Sequence, residues 1–159
     1  MFARYLNHAI GIIIIVSAIG IAFATTQLTV SNNVTINVGM NLKALVIPVG
    51  TTVPICSSST GTYGETGLSM NWNLNQGGSQ TRYLCVYNAG TVNDVLQFGT
   101  TPLPNGLTIN NVFSICANNV CTSGTSLVAG GYALATMTLS ASQTSTVGTT
   151  TGAFTITIM

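Results

Sequence analysis

The sequence predicts an all-β chain, a β-sandwich preceded by a hydrophobic N-terminal signal helix. Three observations carry this prediction. Beyond Ala24 no helical period is present, while apolar and polar residues alternate in one segment after another, the period-2 pattern of half-buried strands. The composition is apolar and β-branched with Thr, Ser, Asn and Gly as polar partners, which suits strands. Gly, Pro and Asn turn signals separate the alternating segments at the rhythm of a sandwich, so roughly eight to ten short strands are expected.

Residues 1–24 read as an export signal. One arginine, Arg4, precedes the apolar run Ala9–Ala24, and Ala22-Phe23-Ala24 fits a small-x-small cleavage pattern. The run is shorter than the roughly 20 residues of a spanning helix. The competing reading is a retained helix of the archaeal type IV pilin kind, although Arg4-Tyr5-Leu6-Asn7-His8 matches the basic cleavage site of that class poorly. Residues 25–38 then form an N-terminal strand, and residues 39–159 form the sandwich domain.

Within Gln27–Val38, Leu28, Val30, Val34, Ile36 and Val38 share one face; Thr29, Ser31, Asn33, Thr35 and Asn37 share the other. Asn41–Pro48 reads as a second strand and Thr51–Cys56 as a third. Ser57–Gly67 is a polar, Gly-rich loop. Leu68–Leu74 places Leu68, Met70, Trp72 and Leu74 on one face, and Trp72 is expected in the core. Gln76-Gly77-Gly78-Ser79 reads as a hairpin turn into Gln80–Asn88, which points Leu84 and Val86 inward and Tyr83, Cys85 and Tyr87 the other way. Val95–Phe98, Leu107–Cys116, Tyr132–Ser140 and Ala153–Met159 complete the strands.

The four cysteines are Cys56, Cys85, Cys116 and Cys121. An even number in an exported chain suggests disulfides. Asn118-Asn119 makes a two-residue hairpin turn that sets Ala117 opposite Val120 and Cys116 opposite Cys121. Cross-strand Cα spacing of about 4.5–5.5 Å suits a disulfide, which leaves Cys56 to pair with Cys85. A zinc site is disfavoured: no C-x-x-C is present, and the only histidine, His8, lies in the leader.

Charge excludes more than it suggests. Only 3% of residues are charged, against about a quarter in ordinary domains. Beyond the leader, Lys43 and Arg82 are the only basic side chains, too few for phosphate contacts, so no nucleic-acid partner is expected. No histidine remains there as a base for Ser, Thr or Cys nucleophiles. Glu65 and Asp94 are the only carboxylate side chains; as a catalytic pair they would have to converge within about 5–10 Å. No phosphate loop, calcium ligand set or cofactor motif is present. A non-enzymatic protein without cofactor or metal is expected, and a near-zero net charge favours association. Asn33-Val34-Thr35 is the sole N-glycosylation sequon. Tyr63, Trp72, Tyr83 and Tyr87 raise the alternative of a secreted carbohydrate-binding or adhesive module; Tyr83 and Tyr87 share a face and could equally serve a subunit interface.

The segments Gly77–Gly90, Leu103–Thr108 and Gly148–Ile158 resemble the strand-and-turn pattern of immunoglobulin-like surface domains, giving an Ig-like or jelly-roll-type sandwich. With the leader and the strand Leu28–Val38, the chain resembles subunits of archaeal extracellular filaments, the crenarchaeal bundling pili and thread filaments related to TasA-like biofilm matrix fibres. That resemblance implies a cell-surface filament built by donor-strand complementation, in which Leu28, Val30, Val34, Ile36 and Val38 fill a neighbour's sandwich. It implies a head-to-tail homopolymer, with neighbouring filaments or surface glycans as further partners and membrane contact only through an uncleaved leader. The same strand folded back into its own sandwich fits the period equally well. A viral coat or surface-layer component is also compatible with the sequence.

Overall fold

The computed structural model describes residues 30–143 and 154–159; the predicted signal helix lies outside them. The described residues form eleven strands: β1 Val30–Val38, β2 Leu42–Val46, β3 Leu68–Leu74, β4 Ser79–Asn88, β5 Asp94–Val95, β6 Phe98–Thr100, β7 Leu107–Ala117, β8 Val120–Ser123, β9 Ser126–Leu127, β10 Tyr132–Ala141 and β11 Phe154–Ile158. They pair into a four-stranded sheet, β3-β1-β11-β6, and a five-stranded sheet, β2-β4-β10-β7-β8; β5 and β9 form a small clip. The five-stranded sheet is antiparallel throughout. The four-stranded sheet is mixed, because β1 runs parallel to β11 and antiparallel to β3.

Alternation explains the core. Val34, Ile36, Met70, Trp72, Leu74, Ile156 and Ile158 from the smaller sheet meet Leu84, Val86, Ala135, Met137 and Leu139 from the larger one, all buried. Trp72 is wholly buried, as its face predicts, and its Nε1 donates to the Gln80 carbonyl at 3.2 Å. Leu96 and Leu127 close one end of the core beside the β5–β9 clip.

The predicted strand Val95–Phe98 is split, its ends lying in β5 and β6 of different sheets, and two further local expectations are corrected. The turn at Gln76–Ser79 forms, with Gly78 N donating to the Asn75 carbonyl and Gly77 at φ +72°, but β3 and β4 do not pair. The chain arches from one sheet to the other, so that Met70, Trp72 and Leu74 face Leu84 and Val86 across the core. Side chains replace the missing ladder. The Gln80 Oε1 accepts from Asn73 N at 3.0 Å, and Arg82 Nε donates to the Asn71 carbonyl at 3.1 Å. The second correction concerns Thr51–Cys56, which is not a strand. The segment Ile47–Tyr63 is a strap over the outer face of the larger sheet, where Ile47, Cys56, Cys85, Cys116 and Leu134 form a second buried cluster. The strap lies so close that a Cβ on Gly61 would stand 2.9 Å from Leu45 Cδ2.

Candidate functional site

Both disulfides lie in or beside this second cluster. Cys56 is bonded to Cys85 and Cys116 to Cys121. The hairpin register is the predicted one, Ala117 opposite Val120 and Cys116 opposite Cys121. Asn118 and Asn119 adopt φ of +51° and +62°, the left-handed pair that a two-residue turn requires. Such bonds form and persist in an oxidising compartment.

The predicted N-terminal strand is flanked on both sides. β1 pairs with β3 from Val30 opposite Leu74 to Ile36 opposite Leu68, and with β11 from Val34 opposite Phe154 to Val38 opposite Ile158. Val34 and Ile36 are buried and Val38 is half-buried, while Thr35 and Asn37 face solvent. Val30 occupies a register position of the same parity as Val34. Leu28 lies outside the described residues. Asn33, the sequon asparagine, is opposite Asn71 at a register position of the same parity as Thr35 and Asn37.

Three residues, Gly39-Met40-Asn41, join β1 in one sheet to β2 in the other. They close a tight turn in which Leu42 N donates to the Gly39 carbonyl at 3.0 Å and Asn41 adopts φ +73°. Met40 is 89% exposed. Gly39 N reaches across to the Ile158 carbonyl at 2.7 Å. A cleft of about 520 Å³ opens beside this turn, lined in part by Val38, Asn41, Lys43, Glu65 and Thr66.

Lys43 Nζ meets Glu65 Oε1 at 3.2 Å near the surface, a pair worth at most about 1 kcal/mol. Asp94 Oδ1 accepts from Val95 N at 2.9 Å. The two carboxylates are therefore engaged on separate elements. Arg82 is buried without an ion pair among the described residues; its Nε and Nη1 donate to the Asn71 and Thr81 carbonyls. Burial lowers its pKa from the usual guanidinium value. Its structural role is to tie β4 to β3 where the ladder is absent.

Tyr83 and Tyr87, which alternation puts on one face, take different neighbours. Tyr87 stacks on Tyr132 with ring centroids 4.8 Å apart, and Tyr63 tilts against both at 5.9 and 5.6 Å. Tyr83 packs against the second cluster under the strap. Tyr63 Oη donates to the Ser57 carbonyl at 2.9 Å. Burial raises the Tyr63 pKa. The local sequence pattern does not single out Tyr132. Its place follows from strand order, since β10 sets it opposite Tyr87.

No family model matches the chain, and no curated protein or solved structure matches it significantly.

Proposed function

We propose that this chain is the structural subunit of an extracellular, pilus-like or biofilm-matrix filament, with an Ig-like or jelly-roll-type sandwich as its body. Residues 30–38 of one copy fill the place between β3 and β11 of the next, in a head-to-tail homopolymer. The observation that carries this reading is the position of β1. It is an inner strand of its sheet, yet its covalent link to the following strand is a short three-residue turn, Gly39-Met40-Asn41. Removing it would expose the facing edges of β3 and β11 and uncover the apolar floor beneath. An open edge over an apolar groove is a template for a strand from another chain.

A strand from a second copy restores the same contacts. Burying the Val34 and Ile36 side chains is worth about 3–6 kcal/mol in either arrangement. The balance between them is then set by concentration and by the turn at Gly39–Asn41. Exchange of identical elements is a low-cost route to assembly, and a heterologous contact that does not close propagates as a fibre. The sparse charge supports self-association, and the disulfides support an oxidising, extracellular location. The short supply of titratable side chains supports a non-enzymatic role. Electron microscopy of the protein secreted by its native host tests the reading. Filaments are expected from the intact chain and none after deletion of Thr25–Val38; monomers alone from the intact chain would overturn it.

A further inference from the structure

The strap and the disulfide hairpin leave a second cleft between them, of about 210 Å³, lined by Ile55, Ser57, Ala117, Asn118, Asn119 and Tyr132 together with Cys56 and Cys116. Both walls are covalently fixed, one through Cys56–Cys85 and the other through Cys116–Cys121. No charged side chain lines it among the described residues. Asn118 and Asn119 are exposed, and each amide offers two donors and an acceptor. Ile55 is 47% exposed, and the half-buried Tyr132 reaches the cleft while stacking on Tyr87.

We propose that this cleft binds one ring of a neutral sugar, with Tyr132 and Ile55 against the apolar face of the ring and the amides of Asn118 and Asn119 on its hydroxyls. The assignment follows from chemistry. A cleft without charge gives no advantage to an ion. Amides match hydroxyl groups because both donate and accept. Amphipathic rings such as Tyr suit a ligand with one apolar face and a polar rim. The volume is below the roughly 300–1,000 Å³ of sites for drug-sized ligands, which restricts the fit to a single ring. Walls fixed by disulfides lower the ordering cost of binding. The ring can belong to a glycan on a neighbouring copy or to one on another surface, since both present the same chemistry. The proposal does not depend on the filament reading.

The test is an NMR titration of the full secreted protein, disulfides intact, with the methyl glycosides of glucose, galactose, mannose and N-acetylglucosamine. At least one should give saturable shifts centred on Asn118, Asn119 and Tyr132, with a Kd of about 1–10 mM. The double variant Asn118→Gly with Asn119→Gly removes both amides but keeps the left-handed turn, because glycine takes positive φ without steric cost. It should bind at least tenfold more weakly with an otherwise unchanged spectrum. Tyr132→Phe keeps the ring and should stay within about twofold of the parent. No saturable binding, shifts centred elsewhere, or undiminished binding by the Gly-Gly variant would overturn the proposal. Filament formation, scored separately by microscopy, separates the two sources: weaker assembly of the Gly-Gly variant places the glycan on a neighbouring copy, and unchanged assembly places it on another surface.

Discussion

The two disulfides should contribute unequally to stability, and the difference can be worked from their loops. Cys56–Cys85 closes a separation of 29 residues and Cys116–Cys121 one of 5. In the chain-entropy treatment the first bond is worth about 3.6 kcal/mol and the second about 2.2 kcal/mol at 25 °C. Packing widens the gap. Cys85 is wholly buried, and Cys56 anchors the strap against Cys85 and Leu134, whereas the hairpin is also held by its β7–β8 ladder. The variants to compare are Cys56→Ala with Cys85→Ala and Cys116→Ala with Cys121→Ala. Urea unfolding at a concentration where the protein is monomeric by light scattering gives both values. Trp72, the single tryptophan and wholly buried, reports global unfolding. With an m-value of about 1.5 kcal/mol/M the first pair should lower the midpoint by more than about 2 M and the second by about 1.5 M. Equal losses, or a larger loss for the hairpin pair, would refute the view that the strap is part of the cooperative fold.

Three further outcomes are expected. Asn88→Ala should cost about 2–4 kcal/mol in the same assay, because the buried amide donates to the Val92 and Leu127 carbonyls and accepts from Gly90 N. Tyr63 holds its proton more tightly in the folded state than in the unfolded chain, so its contribution is complete below about pH 10 and is lost as pH rises through its raised folded-state value. Stability should fall above about pH 10, and less steeply in Tyr63→Phe, which a urea series across alkaline pH would show. Ile36→Ala, on the buried face of β1, should cost about 2–5 kcal/mol of monomer stability and should also raise the concentration needed for filaments, measured by sedimentation.

Much of the fold is legible because strand period and burial coincide. Met70, Trp72 and Leu74 are buried where alternation puts them, and so are Val34 and Ile36. The Cys116–Cys121 hairpin is legible because two adjacent asparagines at positive φ admit one register. What alternation does not carry is partner identity. A β3–β4 turn with Gly77-Gly78 looks the same whether it closes a hairpin or arches between sheets; the face-to-face contact of Trp72 with the larger sheet decides it. The strap left a fainter signal. Leu84-Cys85-Val86 and Ala133-Leu134-Ala135 are buried at every residue, the mark of a strand covered on both faces, and the cover is a segment whose own pattern resembles a strand. The tyrosine trio and the cleft beside Tyr132 depend on strand order, which alternation does not carry.

In the proposed filament, β1 of one copy lies beside β3 of another. Thr35 on β1 and Ser69 on β3 are Cα partners and both face solvent, so a cysteine at each position can bond without disturbing the core. Mixing copies that carry Thr35→Cys with copies that carry Ser69→Cys, oxidising, and separating the products without reductant reads the arrangement directly. Strand exchange predicts disulfide-linked dimers from the mixture and a ladder of linked subunits from chains carrying both substitutions. Unlinked monomers from the mixture, with only internally closed monomers from the double variant, would contradict it.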